Sequence, residues 1–281
     1  MRNLTPPSTT CSEVIEQCNK SIRAIDLKNR LTQAEPFISS AEKEYQTRGD
    51  NASLYSIPTT SGVNGFLTGK EMERLYNNTF VRSSKTRNIY SRLKKNCVND
   101  ICPLCGQGTV RQLDHYLPIT EFPIYGITPL NLIPTCSDCN KFKLAYHPKT
   151  AADQTLHPYF DNLDNDRWLF ALVVESQPAS IRFIVKPPTL WDTITTNRVT
   201  NHFSIFKLGA LYGTHAAVEM NNMRFILKKM ESSNDSENVI CNYLRDRADS
   251  CAQVNQNSWQ RATYEALSNS KWFCSGGFNY T

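Results

Sequence analysis

Two Cys-x-x-Cys pairs constrain this chain more than any other feature. Cys102-Pro-Leu-Cys105 and Cys136-Ser-Asp-Cys139 flank residues 106–135. Two residues between thiols let a tight turn aim both sulfurs at one point. Two such knuckles supply four sulfurs, which suits tetrahedral Zn²⁺ with bonds of about 2.3 Å. A closed sulfur shell leaves no open position, so the spacing predicts a structural zinc that clamps the ends of a small inserted module. The alternative is two unrelated pairs of buried thiols. Cys97 lacks a partner at knuckle spacing, and Cys11, Cys18, Cys241, Cys251 and Cys274 read as ordinary thiols.

The zinc reading supposes reduced thiols. Residues 1–13 are polar, contain Pro6 and Pro7, and lack the apolar core of a signal peptide. A cytoplasmic location is therefore expected, where ten cysteines bind metal or stay free rather than form disulfides. The longest clean apolar run, Leu169–Val174, is far short of the roughly 20 residues that span a bilayer, so no membrane association is expected. With 40% hydrophobic and 20% charged residues the chain is able to bury a core, which excludes a wholly disordered protein.

The net charge of +5 is local in origin. Within 68–100, Lys70, Arg74, Arg82, Lys85, Arg87, Arg92, Lys94 and Lys95 face only Glu71, Glu73 and Asp100. A basic stretch before a metal module suits a polyanion such as nucleic acid, although a charge run is often only a solvated helix face.

Periodicity predicts helix through residues 1–50, with Val14, Ile15, Cys18, Ile22, Ile25 and Leu27 on the apolar side and Ser12 as a cap. Residues 51–67 read as a loop or linker. Thr68-Gly-Lys-Glu71 fits a capping box, and Met72, Leu75 and Tyr76 share one face of the helix it opens. A basic helix is expected over 84–95. Strands are expected near 110–115 and 130–134 and a helix over 137–146, a strand–strand–helix order. Beyond that, 168–175 and 180–186 form a strand pair, helices fill 190–230, 232–237 is a polar break, and a last helix covers 239–267.

Between the cysteine pairs lie residues suited to hydrolysis. Asp114 and His115 are adjacent at the end of a predicted strand, where both side chains reach one site only if the strand ends or bends. Asn140 opens the helix anchored by the second cysteine pair. Asp and Asn oxygens suit Mg²⁺ or Mn²⁺, and a neutral imidazole takes a proton from water. Taken singly, Asp114-His115 reads as a surface or hydrogen-bonded pair, Asn131 as a turn residue, Asn140 as a cap, and Lys141 and Lys143 as solvated. His147 is a further candidate for metal or phosphate, while His157, His202 and His215 read as structural.

Taken together, Asp114-His115, Asn131 and Cys136-Ser-Asp-Cys139-Asn140-Lys-Phe-Lys143 resemble the HNH endonucleases, whose active site is a ββα-metal module. The resemblance covers 102–143 and, more loosely, extends to about 160. It implies His115 as general base, Asp114 and Asn140 as ligands of one Mg²⁺ or Mn²⁺, Asn131 as the residue that pins the inter-strand loop and orients His115, and Lys143, assisted by Lys141, on a phosphate. Family members often carry His where this chain has Asn140. Arg82, Lys85, Arg87, Arg92, Lys94 and Lys95 would then hold DNA.

The expected fold is α+β, with mainly helical flanks around a zinc-clamped ββα-metal nuclease module. Its expected segments are a helical region and linker (1–67), a basic helical region (68–96), the nuclease module (97–160), and a strand pair with a helical scaffold or docking region (161–281). The expected function is metal-dependent hydrolysis of DNA. Proteins that resemble this one imply bacterial defence against phage or foreign DNA, an ATPase partner, and docking or homo-oligomer surfaces on the flanks. The competing readings are a non-catalytic zinc-stabilised nucleic-acid-binding module and a nuclease that cleaves RNA.

Overall fold

The computed structural model describes residues 1–232 and 235–281. It is an α+β protein, mainly helical, with three two-stranded antiparallel sheets among the described residues. The chain divides into two compact units, Met1–Asn162 and Leu163–Thr281. The segments 1–67, 68–96 and 97–160 thus all fall in the first unit.

That unit opens with helix α1, Cys11–Asn19, and the long α2, Ile25–Asp50. The α1 cap is Thr10 rather than Ser12: Thr10 Oγ1 accepts from the Glu13 N–H, and the Glu13 carboxylate accepts from the Thr10 N–H. Val14, Ile15 and Cys18 are buried as their spacing predicts, whereas Ile25 is exposed at the first turn of α2. Residues 51–67 hold more order than a linker. A hairpin pairs β1, Gly62–Val63, with β2, Leu67–Thr68, and its turn places Asn64 and Gly65 at positive φ, the backbone those residues tolerate best.

The box at Thr68 forms as read. Thr68 Oγ1 accepts from the Glu71 N–H, and the Thr68 N–H donates to Glu71 Oε2 at 2.9 Å. Arg30 adds an ion pair to Glu71 at 2.8 Å. This cap starts α3, Gly69–Arg74, which runs into a π-helical turn, Leu75–Phe80. Thr68→Ala is expected to cost about 1 kcal/mol, a fall in Tm of about 2–4 °C, readable by calorimetry. Helix α4, Arg87–Lys94, follows.

Strand β3, Gln112–His115, pairs antiparallel with β4, Leu132–Thr135, with Asp114 opposite Ile133 and His115 opposite Leu132. Helix α5, Ser137–Lys143, follows directly. Leu113 and Leu132 enter the same core as Val14, Leu31, Ile38, Met72, Leu75, Tyr76, Phe80, Ile89 and Leu93. The ββα unit therefore rests on the N-terminal helices, and α4 packs against both of its strands.

The second unit contains the antiparallel pair β5, Leu169–Val174, and β6, Ser180–Val185, then α6, Thr193–Ile205, α7, Leu208–Glu231, α8, Ser236–Val254, α9, Trp259–Ser268, and α10, Lys271–Cys274. The expected break at 232–237 includes residues 233 and 234, which lie outside the described residues, and Ser236 already opens α8. The single helix expected over 239–267 is two. Asn257 leaves the helical path because its carboxamide accepts from the Trp168 and Leu169 N–H groups and donates to the Asp166 carbonyl. Ser258 then caps α9 through the Arg261 N–H. Among the described residues, no helix is long and apolar enough to cross a membrane.

Candidate active site and metal centre

The four cysteines meet. Cys102, Cys105, Cys136 and Cys139 are buried, and their sulfurs lie within 4.8 Å of one another. Cys105 Sγ and Cys136 Sγ are 3.9 Å apart; sulfurs at tetrahedral corners around a zinc with bonds of about 2.3 Å would be about 3.8 Å apart. Backbone geometry builds each knuckle. The Gly108 N–H donates to Cys105 Sγ at 3.3 Å and the Cys139 N–H to Cys136 Sγ at 3.4 Å. The crowded sulfurs shift one another in opposite directions, with the Cys105 and Cys136 thiols pulled below their usual range and those of Cys102 and Cys139 pushed above it. Gly108 makes the approach possible: a Cβ there would stand 2.7 Å from both Cys136 Cβ and Sγ. These four residues are placed to hold a metal ion. Cys97 is not among them; its thiol lies near the Lys94 carbonyl.

Strand alternation sends Asp114 and His115 to different surroundings. Asp114 faces α5, where its Oδ2 is 3.4 Å from Lys143 Nζ. Burial raises the Asp114 pKa, and the Lys143 ammonium opposes that rise. Lys143 is 4% exposed and also donates to the His115 carbonyl at 2.6 Å. The expected phosphate contact by Lys143 is therefore corrected: its side chain points into the protein. The physical reason is helical spacing, since Lys143 follows the buried Cys139 by four residues and shares its face. Asn140, three residues before Lys143, lies on the same side of α5. It is half-buried, and its carboxamide makes no hydrogen bond among the described residues.

His115 closes β3, and its ring points toward the core. It meets the Tyr76 ring edge-on at 4.3 Å between centroids, and its Nε2 lies 2.8 Å from the Gly126 carbonyl. A carbonyl only accepts, so Nε2 carries the proton and Nδ1 keeps the lone pair. Burial pushes the His115 pKa down to about 4, the Lys143 ammonium adds to this, and the Gly126 carbonyl opposes it. The ring is therefore neutral near pH 7. Tyr76 is fixed in turn by donating to the Leu113 carbonyl at 3.1 Å.

Asn131 is wholly buried between the strands. Its Oδ1 accepts from the Leu117 N–H at 2.8 Å and from Tyr45 Oη at 2.9 Å. Its Nδ2 donates to the carbonyls of Leu117 at 3.0 Å and Tyr125 at 3.3 Å, and its own carbonyl accepts from the Tyr116 N–H. One side chain thus ties together both ends and the middle of the loop that follows His115. His157 supports Tyr45 from below, with Nε2 3.3 Å from Tyr45 Oη. His147 pairs with Glu121 and bonds Lys149.

Arg82, Lys85, Arg87, Arg92 and Lys95 are exposed, Lys94 half-exposed and Lys141 exposed. Arg92 bonds Thr9 Oγ1. The other six make no ion pair among the described residues. Arg87, Arg92 and Lys94 lie on α4, whose buried residues are Ile89 and Leu93 and which packs on β3 and β4. Sequence reasoning placed Tyr76 only in a helix core and did not identify Gly126 or Tyr45 as neighbours of the site. The Gly126 contact is through a backbone carbonyl, which leaves no residue-type signal.

The chain is similar to protein ea31 of Escherichia phage lambda, with 27% identity across 98% of this chain and 100% of that one. No protein-family model matches the chain, and no solved structure matches it.

Proposed function

We propose that this protein is a metal-dependent HNH endonuclease that hydrolyses phosphodiester bonds in DNA, with a structural zinc on Cys102, Cys105, Cys136 and Cys139. The observation that carries the reading is the four-cysteine cluster closing a ββα unit that bears Asp114 and His115 on its first strand and Asn140 on its helix. Asp114 on β3 and Asn140 on α5 offer a carboxylate and a carboxamide oxygen, donor types that suit a hard dication. Mg²⁺ or Mn²⁺ bound there would supply Lewis-acid stabilisation of charge on the phosphate and the leaving oxygen.

The chain's own groups do the rest. With Nε2–H committed to Gly126, Nδ1 of neutral His115 holds the lone pair left to take a proton from an attacking water that reaches the buried ring. Asn131 holds the loop beyond His115 so that the imidazole keeps this tautomer and direction. Exposed Lys141 takes the phosphate contact expected of Lys143. Arg82, Lys85, Arg87, Arg92, Lys94 and Lys95 contribute sequence-independent affinity through counterion release. Defence against foreign DNA or phage, with an ATPase partner, belongs to the proposal on the strength of the resemblance; co-purification of an ATPase from native cells tests it.

The central test is nicking of supercoiled DNA with Mg²⁺ or Mn²⁺, run beside an RNA substrate. His115→Ala is expected to lower the rate by at least about 10²-fold, the scale of a lost general base, while the variant keeps its fold. Wild-type cleavage by a folded His115→Ala protein would reject the assigned base. A wild-type chain that binds DNA yet cleaves with neither ion is a binding module instead.

A further inference from the structure

We propose that Lys143 is the resident counter-ion of the Asp114 site: its ammonium stands where a divalent cation would bind and is displaced when one arrives. The proposal rests on the reading of Asp114 as a metal ligand. It starts from an ammonium in an unusual place. Lysine is rarely buried unless paired, yet Lys143 is 4% exposed, 3.4 Å from Asp114 Oδ2 and bonded to the His115 carbonyl at 2.6 Å. Its partner is nearly as enclosed, with the Asp114 side chain 13% exposed. In the absence of any other cation, the Lys143 ammonium thus balances the Asp114 carboxylate across 3.4 Å.

A dication on the Asp114 oxygen changes that balance. It brings a like charge into the space around Lys143 Nζ, and repulsion at such distances inside a protein is strong. The long lysine stem at the end of α5 gives the ammonium a way out, which neither the strand nor the cysteine-anchored start of the helix has. Asn140, one turn earlier on α5 and half-buried, is the second donor of that reading. The exchange keeps a cation beside the Asp114 carboxylate whether or not the metal is bound. It also lowers metal affinity, because each binding event must expel a cation.

The test measures Mn²⁺ binding to the full-length, zinc-loaded chain through the free-Mn²⁺ electron paramagnetic resonance signal. Lys143→Met, which keeps the stem and removes the charge, is expected to bind Mn²⁺ at least about tenfold more tightly than wild type, the scale of one removed neighbouring charge. Asp114→Asn is expected to lose the site. If Asp114→Asn loses binding while Lys143→Met binds no more tightly than wild type, the counter-ion role is overturned and the metal site stands. If Asp114→Asn binds Mn²⁺ as wild type does, the site itself fails and the inference with it. Should Lys143→Met not fold, acetic anhydride labelling of the unmutated chain decides the matter. Acetylation of Lys143 is expected to accelerate about tenfold when Mn²⁺ saturates the site, and an unchanged rate overturns the proposal.

Discussion

Removing the metal from the four cysteines is expected to unfold the ββα unit rather than merely loosen it. All four thiols are buried, and their sulfurs crowd within 4.8 Å of one another. Without an ion, like charges or crowded thiols face one another in a dry site. Structural zinc in small cysteine sites carries an apparent binding free energy of about 10–16 kcal/mol, as large as the whole stability of a typical domain, about 5–15 kcal/mol. The ligands also come from both ends of 106–135, so losing the ion frees both knuckles together. Elemental analysis should find one zinc per chain. A strong chelator, or Cys136→Ser, should abolish the cooperative melting transition of the first unit, and added zinc should restore it in the unmutated chain. A metal-free chain that melts at the same temperature would show that the cysteines are only packed thiols.

The second large effect is expected at Asn131. Replacing it with Ala strips partners from the Tyr45 hydroxyl, the Leu117 N–H and the Leu117 and Tyr125 carbonyls, all in the interior. Each buried group left unpaired costs about 1–3 kcal/mol. After partial relaxation we expect a loss of about 4 kcal/mol or more in urea unfolding. Asn131→Asp should also be severely destabilising, because it turns the donor facing two carbonyls into a third acceptor. Tyr45→Phe removes only one of the four bonds and should cost about 1–2 kcal/mol. Because Tyr45 and Asn131 share a bond, the double variant should be less destabilised than the sum of the single ones. A loss below about 1 kcal/mol for Asn131→Ala would contradict the network.

What was legible in the sequence is what is encoded locally. Cysteine spacing, the Thr68–Glu71 box and the strand–strand–helix order each need only a few consecutive residues, and each appears where it was read. The misses depend on partners distant in sequence. Asn257 breaks the last helix because the start of β5 offers it backbone groups nearly ninety residues away. Ile25 fits the helical period yet is exposed, because it sits on the first turn of α2. Lys143 turns inward because Asp114 lies across from it on β3. That last miss had a local signal, the four-residue step from Cys139, outweighed by the habit of reading lysine as solvated. The two neighbours of the His115 ring, Tyr76 and the Gly126 carbonyl, follow only from the way the loop folds back over the strand.

Every side chain assigned here to chemistry or metal binding belongs to the first compact unit and precedes residue 144. The second unit, from Leu163 onward, contributes none of them. Selection can therefore rewrite the carboxyl-terminal two-fifths of the molecule at little risk to the reaction proposed for it. A recombination event near residue 162 would hand the same reactive centre to a different carrier.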